Sequence, residues 1–172
     1  MASDKAIVLI TGGNTGLGLE IVKALYKSNR AYDIVIGSRS LERGEGAVAS
    51  VKQETSNSQS SLSVVQVDIS SDDSITAARG LIDSKFGRLD VLINNAGANH
   101  DNDGLGLREG WLKPWDTNVA GNMVMTTEFM PLLIKSADPR LLLIASGTSS
   151  LADTLRMDHP GLKAMNSGPE AG

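Results

Sequence analysis

The chain contains no cysteine. That removes a disulfide framework, a thiolate nucleophile and Cys-ligated zinc, and it is compatible with a reducing compartment. Histidine is nearly as scarce: His100 and His159 are the only two, too few for a His-based metal site, so no metal is expected. Aromatic residues make up 3% of the chain. Runs of Lys or Arg are absent, and 16 basic against 20 acidic residues leave a formal charge of −4. Polyanion binding needs a basic face that releases counterions, so a general nucleic-acid role is not expected. Long apolar runs are missing too. Ala6 to Ile10 is a stretch of five, far short of the roughly 18 to 20 residues that span a bilayer. The expectation is a cytoplasmic, soluble protein without membrane contact.

What is present is the composition of one globular domain, expected over residues 1–172, with 41% hydrophobic residues. Short apolar runs alternate with longer amphipathic ones. Ala6 to Ile10, Ile34 to Ile36, Val64 to Val67, Val91 to Ile93 and Leu141 to Ala145 read as strands, and their unbroken apolar character predicts cover on both faces. Between them, Gly16 to Asn29 places Leu17, Ile21, Val22 and Leu25 on one helical face, and a second helix starts around Ser40. Asp72 to Phe86 groups Ile75, Ala78, Leu81 and Ile82 before the helix stop Gly87. Strict alternation of strand and helix means a parallel sheet.

Thr55 to Ser63 reads as a polar surface loop. Asp116 to Ser136, the longest helical candidate, is apolar on more than one face. One stripe would cover the sheet, and the surplus wants a second partner, either a later helix or another subunit in a homo-oligomer. The tail from about residue 149 has no convincing strand, ends in NSGPEAG and is expected to be poorly structured.

Directly after the first strand stands Thr11-Gly12-Gly13-Asn14-Thr15-Gly16-Leu17-Gly18, which opens the first helix. Glycines at such a turn let the backbone approach a pyrophosphate, and the positive helix end favours the anion. Between a predicted strand and a predicted helix, this predicts dinucleotide binding.

The spacing resembles the TGxxxGxG of the short-chain dehydrogenase/reductase family, and other family marks follow in order. Asn94-Asn95-Ala96-Gly97 ends the fourth strand as the NNAG motif does, and Asp68-Ile69 ends the third, where the family's Asp contacts adenine. Asn118, in Asp-Thr-Asn-Val-Ala-Gly, stands where the family keeps a mechanistic Asn, and Ser146 where it keeps its catalytic Ser. Together these marks cover about the first 150 residues. Within the family the look is that of carbonyl reductase-like members, from TGGNTGLGLEIVKAL, Ile36-Gly37-Ser38-Arg39 and Leu41-Glu42-Arg43-Gly44.

The resemblance implies a doubly wound Rossmann-type α/β fold. Its parallel sheet has strand order 3-2-1-4-5 with helices on both faces, and the family's final strands are missing, as in a truncated member. Cofactor-binding residues carried over are Gly12, Asn14, Thr15, Gly16, Leu17, Gly18, Ser38, Arg39, Asp68, Ile69, Asn95, Ala96 and Gly97. An acidic residue at the end of the second strand would bind the ribose 2′-hydroxyl of NAD, whereas Ser38 and Arg39 supply donors and charge for a 2′-phosphate. NADP(H) is therefore expected over NAD(H).

In the family a Tyr is the general acid/base and a Lys four positions on holds the nicotinamide ribose. This chain has only Tyr26 and Tyr32, both far from the site by topology, so the Tyr-x-x-x-Lys motif is absent. Thirteen positions after Ser146 stands His159, and seventeen after it Lys163, the register of the missing pair in short-spaced members. A His there could move protons near neutrality. Pro160 and Gly161 are poor helix residues, and the alternative is that His159 is a plain loop residue.

Three functions stay open. The first is an NADPH-dependent reductase of a small-molecule carbonyl, with Asn118, Ser146, His159 and Lys163 as its catalytic set. The second is a catalytically dead dinucleotide-binding module or subunit. The third is an isomerase or cyclase on the same fold, without net redox.

Overall fold

A computed structural model describes residues 5–100, 103–146, 150, 152, 160, 162 and 163. Its elements follow in order: β1 (Ala6–Thr11), α1 (Gly16–Lys27), β2 (Tyr32–Ser38), α2 (Leu41–Glu54), β3 (Ser61–Gln66), α3 (Asp72–Phe86), β4 (Val91–Asn94), α4 (Leu107–Trp115), a π-helical turn (Asp116–Gly121), α5 (Asn122–Leu133) and β5 (Arg140–Leu143). All strand pairs are parallel, and the sheet order is β3-β2-β1-β4-β5. The doubly wound arrangement is as expected.

Side chains alternate across a strand, so each strand feeds two cores. On one face Ile7, Leu9, Val35 and Leu92 meet Ile75, Ala78 and Ile82 of α3 and Met125 and Phe129 of α5. On the other, Val8, Ile10, Ile34 and Ile36 meet Val22 and Tyr26 of α1 and Ala47 and Val51 of α2. Local chemistry sets the helix ends. Ser40 and Ser71 cap α2 and α3 by accepting from the N–H of Arg43 and Ser74. Gly87 closes α3 with φ 72°.

Several expectations need correction. Leu17 and Leu81 are exposed, whereas Gly18 and Tyr26 fill the buried positions of α1. The helix expected over Asp116 to Ser136 is a π-helical turn followed by the shorter α5, and it is preceded by α4, which the apolar spacing does not indicate because no α4 residue is buried. β3 begins at Ser61, inside the expected loop. β5 is not covered on both faces: all four of its residues are exposed. Most of the tail from residue 149, His159 included, lies outside the described residues.

At the end of the sheet opposite the glycine turn, Asp90 ties three segments together. Its carboxylate accepts from the Ile7 N–H at 2.7 Å, the Arg88 guanidinium at 3.1 Å and the Ser136 hydroxyl at 2.5 Å. Burial pushes this carboxyl up, but the Ser136, Ile7 and Arg88 donors outweigh it and hold Asp90 below its ordinary range.

Candidate functional site

The strand order reverses between β1 and β4, where an open parallel sheet splits its crossovers and leaves a crevice at the carboxyl ends. A groove of about 480 Å³ lies there. Its wall contains Gly12, Asn14, Thr15 and Leu17 of the glycine turn, Ser38 at the end of β2 and Arg39 beyond it, Asp68 and Ile69 after β3, and Asn95, Ala96 and Gly97 after β4. Four separated segments named from the sequence thus meet at one groove.

The turn is shaped for close approach. Gly12 has φ +63° and Gly16 φ +54°, a region costly for side-chain-bearing residues. At Gly18 an added Cβ would lie 2.4 Å from the Gly12 carbonyl and 2.5 Å from Nδ2 of Asn95, so α1 can begin against the turn only with glycine there. Unlike α2 and α3, α1 starts without a side-chain cap: Thr15 makes no capping bond and its first turn holds no acid. That end suits an anion.

Thr11 is the latch between the two halves of the groove. Fully buried at the end of β1, its hydroxyl accepts from the N–H groups of Asn95 at 3.0 Å and Ala96 at 2.9 Å. The Asn95 amide returns a hydrogen bond to the Thr11 carbonyl at 2.9 Å. Thr11 was missed as a site residue in the sequence. A hydroxyl closing an otherwise apolar strand was the available signal, because a buried polar group needs partners.

Asn118 lies in the π-helical turn, a widened form frequent at functional sites. Its amide clamps the loop after β4: Oδ1 accepts from the Ala98 N–H and Nδ2 donates to the Ala98 carbonyl, both at 2.8 Å. Its own carbonyl accepts from Nδ2 of Asn122 at 2.9 Å. The turn fits closely against the segment after β3, since a Cβ on Gly121 would stand 2.2 Å from the Ile69 carbonyl.

At the corner after β2 the geometry refines the reading of Ser38. Its hydroxyl donates to the Ser40 carbonyl at 2.8 Å and is almost fully buried, so it is committed to the local turn. Arg39 is exposed at the groove and is joined there by Arg43, from the first turn of α2. Arg43, Ser70, Ala98, Thr117 and Ile144 also line the groove and are not among the cofactor-binding residues expected from the sequence. Asp68 caps the turn into α3 by accepting from the Ser70 N–H at 3.0 Å, and Ile69 turns its side chain into the core. Ser146 stands exposed beyond β5, and Lys163 is exposed; neither is among the residues lining the groove. Among the described residues there is no cluster of metal-ligating side chains, and no helix is long and apolar enough to cross a membrane.

Residues 6–155 match the family described as short chain dehydrogenase. The chain is 44% identical over 149 residues to the short-chain dehydrogenase/reductase tropE of Talaromyces stipitatus, covering 87% of this chain and 56% of that protein. It is 40% identical over 159 residues to the short-chain dehydrogenase/reductase eupG of a Phoma species, covering 88% and 57%. The chain therefore spans a little over half the length of these relatives. Among solved structures, menthone neomenthol reductase from Mentha piperita superimposes with a TM-score of 0.76 at 27% identity, covering 86% of this chain and 62% of that one. Actinorhodin polyketide ketoreductase with NADPH gives a TM-score of 0.70 at 25% identity, covering 86% and 56%. Family match, relatives, sheet order and latched glycine turn agree, and the chain belongs to the short-chain dehydrogenase family.

Proposed function

We propose that the groove binds NADP(H) and that the protein reduces a carbonyl on a small molecule. The observation that carries this reading is the meeting of the Gly12–Gly18 turn with Arg39 and Arg43 around one groove. The residues present fit the group. The turn admits a pyrophosphate against backbone and the uncapped start of α1. Two guanidiniums suit the dianionic 2′-phosphate that distinguishes NADP from NAD, and Asn95, Ala96 and Gly97 would line the ribose on the nicotinamide side.

When bound, the cofactor supplies the hydride. The chain's own residues supply the rest. Thr11 and Asn95 keep the β4 end in register with the turn. Asn118 fixes the loop beyond Gly97 through Ala98. In this reading the Ser146 hydroxyl would donate to the carbonyl oxygen, His159 would supply the proton and Lys163 would hold the ribose. Tyr26 is buried against the sheet by α1 and Tyr32 opens β2 at its far end, so neither serves as the acid. The exposed positions of Ser146 and Lys163, outside the groove lining, favour one second reading, a dinucleotide-binding subunit without hydride transfer.

Titration of the 172-residue chain with NADPH and NADH tests the proposal. Tight NADPH binding, weakened at least tenfold by Arg39→Ala while NADH binding is unchanged, is expected from the loss of a charged hydrogen bond, about 1.5–3 kcal/mol. Equal, weak binding of both cofactors would overturn it. NADPH binding without consumption across a panel of ketones would select the second reading.

A further inference from the structure

Beside the groove, the loop after Gly97 and the start of α4 enclose a second cavity of about 600 Å³, lined by His100, Leu105, Gly110, Trp111, Trp115 and Asn118 among others. This is the size of a small-molecule site. A further cleft lies beside both, sharing His100 and Trp115 with this cavity and Ala98 and Thr117 with the groove. Both tryptophans of the chain stand here, 71% and 63% exposed, and α4 buries no residue in the core. Large exposed apolar side chains gathered at a cavity mark a binding surface. Gly110 lies in the middle of α4, where glycine costs about 1 kcal/mol relative to Ala. Gly110 lines the cavity, and a Cβ built there meets only Leu105, at 4.0 Å, so a side chain can be placed at this position without displacing its neighbours.

One polar group gives this cavity a direction. His100 Nδ1 lies 2.7 Å from Oδ2 of Asp103. A carboxylate can only accept, so Nδ1 carries the hydrogen, and in the neutral ring Nε2 is left as an acceptor. It takes a hydrogen-bond donor, and on a planar ring a hydroxyl supplies one. Two indoles offer flat faces for offset or edge-on ring packing. We infer that this cavity is the substrate subsite for a planar aromatic ring carrying a hydroxyl, its reducible carbonyl turned toward Asn118 and the groove. The assignment rests on the reading of the neighbouring groove as the cofactor site.

Three probes of one carbon frame test it: 6-hydroxy-1-tetralone, 1-tetralone, which lacks the hydroxyl, and 1-decalone, which is saturated and puckered. Binding to the 172-residue chain is followed through its two indole N–H resonances, with NADPH binding measured on the same samples. The expected order is 6-hydroxy-1-tetralone about tenfold tighter than 1-tetralone, and 1-decalone weakest. His100→Leu should abolish the preference for the hydroxylated probe while keeping 1-tetralone affinity. Gly110→Leu, which adds a better helix former, should raise helix stability and block all three probes. Four results would overturn the inference: no indole shift in a sample that binds NADPH, 1-decalone binding as well as the aromatic probes, a hydroxyl preference that survives His100→Leu, or indole shifts set by protein concentration with a matching dimer in sedimentation. Indole shifts from 6-hydroxy-1-tetralone without NADPH binding would count against the cofactor reading and leave the subsite standing.

Discussion

Gly18 and Gly46 are both helical glycines, yet opposite outcomes follow from their surroundings. At Gly18 the atoms crowding a new Cβ include the Gly12 carbonyl, a backbone group that cannot swing aside. Gly18→Ala should destabilise the chain by about 2 kcal/mol and weaken NADPH binding by opening the turn. At Gly46, inside α2, nothing lies within 4 Å, and Gly46→Ala should stabilise it by about 0.5–1 kcal/mol. Urea midpoints of the two variants, compared at equal slope, check both signs. Gly12, Asn95 and Arg39 were legible in the sequence because local spacing or the end of a strand marks them. Thr11 was not: its partners Asn95 and Ala96 are 84 and 85 positions away, and only the paired β1 and β4 bring them to it. Arg43 was hidden because a charged residue in a helix's first turn reads as solvated until the loop beside it is placed.

At the scale of elements, legibility followed burial. α3 spans Asp72 to Phe86 as its pattern predicts, since Ile75, Ala78 and Ile82 face the sheet and Ser71 and Gly87 mark its ends. α4 buries nothing and so has no apolar stripe to read. The π-helical turn is set by contact: Gly121 lets the helix touch the Ile69 carbonyl, and Ser70 and Thr117 hydroxyls meet across that contact at 3.3 Å. Gly121→Ala would drive a methyl group into the carbonyl, so the start of α5 must retreat from the segment after β3. A loss of about 2 kcal/mol is expected, with changed amide shifts at Ala98 and Asn118 because the clamp moves with the turn. Unchanged shifts would mean that the turn holds its shape without this contact.

For the molecule as a whole, Asp90 sets part of the response to acid. Its folded-state carboxyl titrates below the ordinary 3.8, so its stabilisation is present above that value and disappears as pH falls through the lowered one. Asp90→Asn should cost about 2 kcal/mol near neutrality, where the Arg88 and Ser136 donors lose a charged acceptor. The variant should also lose less stability than the parent on acidification. Denaturation series at about pH 7 and about pH 3 measure that difference, and parallel curves would rule out Asp90 as a source of the acid response.

The sheet's two margins are built differently. β3 alternates serines with its apolar residues, whereas β5 presents Leu141, Leu142 and Leu143, all at least 40% exposed. Among the described residues no strand pairs with the outer edge of β5, and an unpaired ladder of N–H and C=O groups flanked by leucines is a template onto which another extended chain can add. The growth of such stacks depends on how many molecules collide and scarcely on how firmly each is folded. A charge at the margin should therefore separate two properties that are usually measured together. Leu143→Lys should delay turbidity in concentrated samples while leaving the urea midpoint within about 0.5 kcal/mol of the parent's, so that shelf life is set at the rim of the sheet and folding stability at its centre.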